Sequence, residues 1–182
     1  MFVIIIVILI AFILIAHLKK ENDRKVLNIG GNFSLIDQNG DIYESKIIQK
    51  KKLIYFGYTF CPDICPFDIL KLSNFLDKNP SVVKTMDFIF ITVDPERDDV
   101  VQMNNFLKNF NQSIKGLTGK DDDVANVLRR FRIYSRKNKT SSNDKNYLVD
   151  HSSLFFLIDK KDKYLTHFRP NEFKSKISSY LD

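Results

Sequence analysis

A chain of 182 residues, 44% of them hydrophobic, can form one domain with a sizeable core and a further segment. Its sixteen phenylalanines and lack of tryptophan predict a core filled largely by phenylalanine. The net charge of +6 is compatible with an acidic partner or an anionic membrane surface. The basic residues lie in short, scattered clusters, so we predict no nucleic-acid partner.

The N-terminal segment is uniformly apolar. Residues 1–16 carry no charged or strongly polar side chain, and with His17 and Leu18 they form a run about long enough to cross a bilayer as a helix. A cleaved signal peptide would have a basic segment before this run and a small-x-small cleavage site, and neither is present. We therefore predict an uncleaved transmembrane anchor over residues 1–18 and a juxtamembrane tether over residues 19–29.

The basic residues of this tether bear on orientation. By the positive-inside rule they favour a domain in the cytoplasm, and the acidic residues among them count for little in that rule. The two cysteines of the chain do not decide the compartment, because an even pair fits either redox environment.

The domain is predicted to begin at Gly30 with a β-hairpin. Strand-like runs over residues 33–36 and 41–43 flank Gln38-Asn-Gly40, and Asn-Gly between such runs is a strong hairpin signal. Apolar patterning then predicts a strand over 52–58, a helix over 67–76 and a continuously apolar strand over 86–93.

The second half of the domain continues this alternation. We predict an amphipathic helix over 100–110, a short link over 117–119, a helix from 121 to 131, an exposed polar loop over 136–146, a hairpin of strands 153–158 and 164–168, and a final helix over 171–181. Strands that alternate with helices, with antiparallel hairpins at both ends, indicate an α/β sandwich with a mixed central sheet and flanking helices.

The two cysteines lie where the first core strand turns into a helix. Cys61 is predicted in the turn, with Cys65 near the N-cap and Pro66 in the first helical turn. Free N–H groups and the helix dipole favour thiolates at such a place. The pair could form a disulfide, exchange with other thiols or bind a soft metal. A purely structural pair of small buried residues, or an inert disulfide, is the alternative.

His151 is a candidate third ligand. Turns that carry thiols between a strand and a helix are typical of thioredoxin-like folds, which place a cis-proline before a late strand; here Val149-Asp-His-Ser152 stands at that place. Two thiolates and one imidazole suit Cu(I), or Cu(II) with a further oxygen ligand. A structural zinc site would need a fourth protein ligand, and none is evident. His151 could also be a surface histidine or an acid–base group for the thiols.

Other residues are predicted near this site. Asp94 follows the second core strand at the edge that carries the cysteines, where it could neighbour the metal, orient a ligand or simply cap a turn. Asp63 is predicted to be exposed and available to a partner. Tyr58 and Phe60 are predicted as walls of the pocket, and His167 as a structural histidine.

Several motifs resemble the Sco/SenC family. They are Tyr55-Phe-Gly-Tyr-Thr-Phe-Cys-Pro-Asp-Ile-Cys-Pro66, Phe90-Ile-Thr-Val-Asp-Pro-Glu-Arg-Asp98, Gly116-Leu-Thr-Gly119 and Val149-Asp-His-Ser-Ser153. The resemblance covers about residues 30–182. It is loose around 100–113, and the loop 136–146 is unusually rich in Lys, Ser and Asn.

The resemblance implies a thioredoxin-like (peroxiredoxin-like) copper-binding domain over residues 30–182, on a single membrane anchor. Relatives bind one copper ion, Cu(I) or Cu(II), through the positions of Cys61, Cys65 and His151. They help to assemble the dinuclear copper centre of cytochrome c oxidase subunit II, in the periplasm or the mitochondrial intermembrane space. This location overrides the orientation that the charge rule favours.

Two functions follow from these observations. The first is a copper metallochaperone, which is not an enzyme. The alternative is a membrane-anchored thiol–disulfide oxidoreductase that reduces the copper-ligand cysteines of the oxidase, with Cys61 and Cys65 as its catalytic residues. A thiol peroxidase would need one strongly activated cysteine, and no arginine lies in the cysteine turn to supply that.

Overall fold

A computed structural model describes residues 29–140 and 146–181. The predicted anchor over 1–18 lies outside these residues, as does the predicted tether except for its last residue, Ile29. Within the described part, no helix combines the length and the apolar character that a membrane crossing requires.

The described residues form a mixed α/β fold, as the sequence predicted. Its strands are β1 (Ser34–Asp37), β2 (Ile42–Glu44), β3 (Lys51–Gly57), β4 (Met86–Thr92), β5 (Ile114–Thr118), β6 (Ser135–Asn138), β7 (Leu148–His151), β8 (Phe155–Ile158) and β9 (Tyr164–Phe168). Its α-helices are α1 (Ile64–Lys78), α2 (Val100–Leu107), α3 (Asp121–Phe131) and α4 (Phe173–Lys176), and 3-10 helices span Pro80–Lys84 and Ile177–Tyr180.

Seven strands form one sheet in the order β2-β1-β5-β4-β3-β8-β9. The central strands β3, β4 and β5 are parallel, whereas β1, β2, β8 and β9 join at the sides in antiparallel pairs. All seven residues of β4 are buried, as expected for a parallel strand covered on both faces. The parallel strands therefore end together at one edge, where the cysteine turn begins.

Strands β6 and β7 form a separate two-stranded antiparallel ribbon. Its register pairs Ser135 with His151 and Asn138 with Leu148. The predicted exposed loop over 136–146 is therefore wrong at its start, because residues 136–138 belong to β6. Residues 141–145 lie outside the described part. A polar strand like this one has no apolar alternation to reveal it.

Strand β5 was also missed, because its end was assigned to a short link over 117–119. The strand contains Lys115 and Gly116, which interrupt the apolar run. A Cβ on Gly116 would lie 2.4 Å from Leu107 Cδ1 and from Met103 Cγ, so helix α2 packs directly on the strand backbone there. The close packing of helix α2 explains why a glycine stands in this strand, and the sequence alone gives no sign of that packing.

Most other elements are confirmed with small shifts at their ends. The hairpin β1–β2, the pair β8–β9 and helix α3 follow the predicted pairing or bounds. Helix α1 begins three residues before the predicted start at 67, and α2 ends at Leu107 rather than at 110. The predicted final helix is split into α4 and a 3-10 turn.

Candidate metal site

Two sulfurs and an imidazole converge at the carboxyl edge of the parallel strands. Cys61 lies in the turn after β3, Cys65 in the first turn of α1, and His151 at the end of β7. One ligand atom from each residue lies within 4.8 Å of the other two, and among the described residues no fourth histidine, cysteine or carboxylate joins this group. The fold thus brings together residues that lie up to 90 positions apart in the chain.

The cysteine turn is held by its own backbone. Cys61 N donates to the Tyr58 carbonyl at 3.3 Å, and Cys65 N donates to Cys61 Sγ at 3.5 Å. The N-cap of α1 is Asp63, so Pro66 is the third helical residue and still belongs to the first turn. Both cysteines are free; Cys65 is buried and Cys61 is half-buried.

Gly57 makes room for the buried thiol. It is the last residue of β3, and a Cβ added there would lie 2.9 Å from Cys65 Sγ and 2.9 Å from Phe90 Cε2. Real Cβ atoms do not approach neighbours so closely. The glycine therefore lets the Cys65 sulfur pack against the strand backbone.

The His151 ring is oriented by neighbours on both sides. Its Nδ1 lies 3.3 Å from the Ser152 carbonyl, which can only accept, so we assign the proton to Nδ1, which leaves Nε2 with a free lone pair. Nε2 lies 3.2 Å from Cys65 Sγ. The rings of Tyr58 and Tyr55 meet the imidazole edge-on, with centroids 5.8 and 6.4 Å away. The ligand nitrogen thus points at the sulfurs.

The two thiols have very different acidities. The pKa of Cys61 is lowered to about 3, chiefly because the Cys65 thiol donates a hydrogen bond to the thiolate; the backbone N–H groups of Cys65 and Asp63 lower it further, whereas burial opposes the shift. The same hydrogen bond, together with burial, raises the pKa of Cys65. Near neutral pH the metal-free pair therefore consists of an accessible Cys61 thiolate beside a protonated, buried Cys65.

This arrangement supports two kinds of chemistry. Two sulfurs and one imidazole nitrogen form a donor set that soft metal ions favour, and binding would displace the proton of Cys65. A half-buried thiolate next to a second thiol can also attack a disulfide in another molecule.

Tyr58 lies against the ligands, whereas Phe60 is exposed. The Tyr58 side chain is buried, and its hydroxyl accepts from Val149 N at 3.3 Å, which ties β7 to the site. Phe60 is 48% exposed, so it lies at the rim of the site rather than forming a pocket wall. Asp63 is exposed and lines a groove beside the turn together with Ile64 and Phe67.

Asp94 is not a member of the ligand group. Its buried carboxylate instead binds Arg97, Lys137 and Tyr147. The sequence did not single out these three partners, since their roles arise from contacts between segments that are distant in the chain.

Asp98 is a further residue that the sequence reasoning missed. It is fully buried and accepts from Thr59 N at 3.0 Å, Thr59 Oγ1 at 2.6 Å and Thr92 Oγ1 at 2.6 Å. Burial raises its pKa, an effect that these hydrogen bonds oppose. Asp98 thus fastens the start of the cysteine turn to the end of β4. The available signal was a third acidic residue soon after a buried strand.

Comparison with known proteins gives consistent results. The family model described as SCO1/SenC matches residues 21–182. The SCO2-like protein RP587 of Rickettsia prowazekii is 40% identical over 143 residues, which cover 78% of this chain and 70% of the relative. The structure of Bradyrhizobium japonicum ScoI with copper bound is 36% identical, covers 84% of this chain and 99% of that chain, and has a TM-score of 0.74. Yeast Sco1 with copper bound is 34% identical, with 85% and 88% coverage and a TM-score of 0.75.

Proposed function

This chain belongs to the SCO1/SenC family, and we propose that it is a copper-binding assembly factor that holds one copper ion through Cys61, Cys65 and His151. The observation that carries the proposal is the convergence of these three ligand atoms within 4.8 Å. Such a donor set favours copper, above all Cu(I). The copper bound to ScoI and to yeast Sco1 supports the same choice.

Each ligand has a distinct part in binding the copper cargo. Cys61 supplies a thiolate that is already formed, since its pKa is about 3. Cys65 supplies the second thiolate after it loses its proton, and His151 supplies Nε2. Because Cys61 is half-buried and Cys65 is buried, an incoming ligand from a partner reaches the Cys61 side first. Transfer then proceeds by ligand exchange: one bond to a partner ligand forms as one bond to this protein breaks, without a change of oxidation state.

The acceptor that we propose is subunit II of cytochrome c oxidase, with its dinuclear copper centre as the destination. The family resemblance supports this assignment. We also propose that residues 1–18 anchor the protein in a membrane and that the thioredoxin-like domain faces the periplasm or the mitochondrial intermembrane space. In this reading the protein is not an enzyme.

A thiol–disulfide reductase is the second candidate. The acidity of Cys61 and its adjacency to the Cys65 thiol favour it. The Cys61 thiolate would attack one sulfur of a partner disulfide and release the other as a thiolate. Cys65, having given up its proton, would then attack Cys61 and release the second partner thiol. The partner disulfide is reduced by two electrons as the Cys61–Cys65 disulfide forms.

The test is Cu(I) binding by the full-length, reduced chain against a competing chelator. We expect one tightly bound copper per chain, a large loss of affinity in His151→Ala, and no change in His167→Ala, a matched control on β9 that lies outside the ligand group. Copper binding that is indifferent to His151 would overturn the proposed site.

A parallel assay separates the two candidates. The reduced chain is mixed with dithiobis(nitrobenzoate), and the release of thionitrobenzoate is followed. Thiol chemistry should be lost in Cys61→Ser and kept in His151→Ala. Function of His151→Ala in oxidase assembly, despite its loss of copper affinity, would favour the reductase.

A further inference from the structure

Asp94 is a buried carboxylate with three charged or polar donors. It lies two residues after the end of β4 and is fully buried. Its Oδ1 accepts from Tyr147 Oη at 2.8 Å and from Lys137 Nζ at 2.9 Å, and its Oδ2 accepts from Arg97 Nε at 2.6 Å. A carboxylate with this many donors is strongly held, because burial strengthens each charge-assisted hydrogen bond.

Two of the three donors belong to the ribbon that carries His151. Lys137 lies on β6, and Tyr147 immediately precedes β7. The ribbon pairs with no strand of the seven-stranded sheet within the described residues, so ladder hydrogen bonds do not hold it there. Asp94 therefore fastens the ribbon to the end of β4 through side chains.

The third donor connects the ribbon to the cysteine turn. The Arg97 guanidinium lies 3.6 Å from the ring centroid of Tyr147, 4.9 Å from that of Phe60 and 5.7 Å from that of Tyr58. Tyr58 in turn contacts the His151 ring and accepts from Val149 N. Arg97 is thus packed between the two segments that supply the copper ligands, and Asp94 fixes its orientation.

We propose that Asp94 is a positioning residue for the third copper ligand. Through Tyr147, Lys137 and Arg97 it holds the β6–β7 ribbon so that His151 Nε2 faces the two sulfurs. Asp94 does not bind copper itself. The inference rests on the copper site proposed above and explains how that site keeps its geometry when no metal links the ribbon to the cysteine turn.

The chain contains a matched control at the other end of β4. Asp87 is also buried, and it accepts from Tyr43 Oη at 3.2 Å and Lys115 Nζ at 3.0 Å, with Lys50 Nζ at 3.7 Å. Its donors are therefore of the same kinds, one tyrosine hydroxyl and two cations. None of them lies on the ribbon or the cysteine turn, so Asp87→Asn removes a similar charge without touching the site.

The experiment compares Cu(I) affinity in the full-length reduced chain. We expect Asp94→Asn to weaken binding about 10- to 100-fold, as is typical when a residue that orients a ligand is lost. Asp87→Asn should leave the affinity unchanged. Lys137→Gln, at a side chain that is 31% exposed, is a milder variant should Asp94→Asn fail to fold, and it should weaken binding to a smaller extent.

A double-mutant cycle tests whether the effect passes through His151. If Asp94 acts by positioning this ligand, Asp94→Asn should cause no further loss of affinity in a His151→Ala background. An equal loss in both backgrounds would overturn the proposal. A fall in affinity on His151→Ala, with none on Asp94→Asn or Lys137→Gln, would overturn the positioning role alone. No fall on His151→Ala would instead overturn the copper site.

A metal-free measurement completes the test. In the reduced protein without copper, hydrogen exchange at the Val149 amide reports how firmly the ribbon is held against Tyr58. We expect faster exchange in Asp94→Asn and unchanged exchange in Asp87→Asn. Equal exchange in both variants would show that Asp94 does not hold the ribbon, and would overturn the proposal.

Discussion

The central parallel strands carry buried polar side chains at both of their ends, but the polar groups at one end are permanently paired and those at the other end are reactive. At the edge where β3 begins, Lys52 and Asp162 form an ion pair at 2.8 Å, and both side chains are 0% exposed. Asp162 also accepts from Ser45 Oγ at 2.8 Å, and Lys52 donates to the Ile48 carbonyl at 2.9 Å. This closed cluster of Ser45, Lys52 and Asp162 gives each charge a fixed protein partner.

The opposite edge leaves its reactive groups with a replaceable partner. The Cys61 thiolate and the His151 lone pair both face the Cys65 thiol, so the Cys65 proton is the partner of both. A metal ion can displace this proton, whereas the partners of Lys52, Asp162 and the Ile48 carbonyl, are parts of the protein itself and stay in place. The same sheet thus separates a region built for stability from one built for exchange.

Lys52→Met should have the largest effect on stability. It would leave the Asp162 carboxylate buried without its cation, which typically costs about 3–5 kcal/mol of unfolding free energy. Urea denaturation of this variant and of Lys46→Met, at an exposed lysine, measures the difference. A loss as small as that of Lys46→Met would contradict the closed cluster. The copper affinity of the folded Lys52→Met protein should be unchanged.

Selective alkylation should reveal the asymmetry of the reactive edge. With a pKa of about 3, Cys61 is a thiolate at mildly acidic pH, whereas the raised pKa of Cys65 keeps that group protonated. Iodoacetamide at about pH 5.5 should therefore label Cys61 and spare Cys65, with a Cys61 rate nearly constant up to neutral pH, because only the thiolate reacts.

Mass spectrometry of the reduced, metal-free chain locates the label, and Cys61→Ser should show none under the same conditions. Labelling that rises about tenfold per pH unit across this range, as for an ordinary thiol, would contradict the assignment.

Gly57→Ala should have a smaller effect, which lowers both the unfolding free energy and the Cu(I) affinity. The new Cβ would meet Cys65 Sγ at 2.9 Å, so the thiol must move. We expect about 1–3 kcal/mol less unfolding free energy from overpacking and about a tenfold weaker Cu(I) affinity from misplacing a ligand.

Gly116→Ala is the matched control. Gly116 lies on β5, another central strand, and its new Cβ would crowd Met103 and Leu107 of helix α2. It should reduce stability without changing copper affinity in the folded protein. An equal loss of affinity in both variants would mean that Gly57 has no special relation to the site.

The sequence predicted those features whose signals are local. The Asn-Gly turn, the apolar run of β4 and the acidic first turn of α3 each lie within a few residues, and the structure contains all three elements. The cysteine turn was predicted for the same reason. Fold class follows from such signals because alternating strands and helices allow few arrangements.

The features that were missed depend on contacts between distant segments. Tyr147 lies 53 residues from Asp94, and Thr59 lies 39 residues from Asp98, so neither pair leaves a pattern in a local window. Strands β5, β6 and β7 were missed. In β5 and β6, individual residues suit contacts with other segments rather than a strand pattern: Gly116 lies under a helix, and Lys137 binds a buried carboxylate. Strand β7 pairs only with β6 among the described residues, so it was missed together with β6. From the sequence alone, such a glycine is interpreted as a strand breaker and such a lysine as a solvent-exposed charge.

The register of the β6–β7 ribbon makes the site insensitive to the segment between its strands. Ser135 pairs with His151, and a slip by one residue would turn the imidazole to the other face of the ribbon. The Tyr58 contact with Val149 and the Asp94 contact with Lys137 both fix this register from outside the connecting segment. We therefore expect residues 141–145 to tolerate changes in length and sequence, provided that Lys139 keeps its ion pair with Glu96. A reporter peptide inserted there should leave metal binding intact.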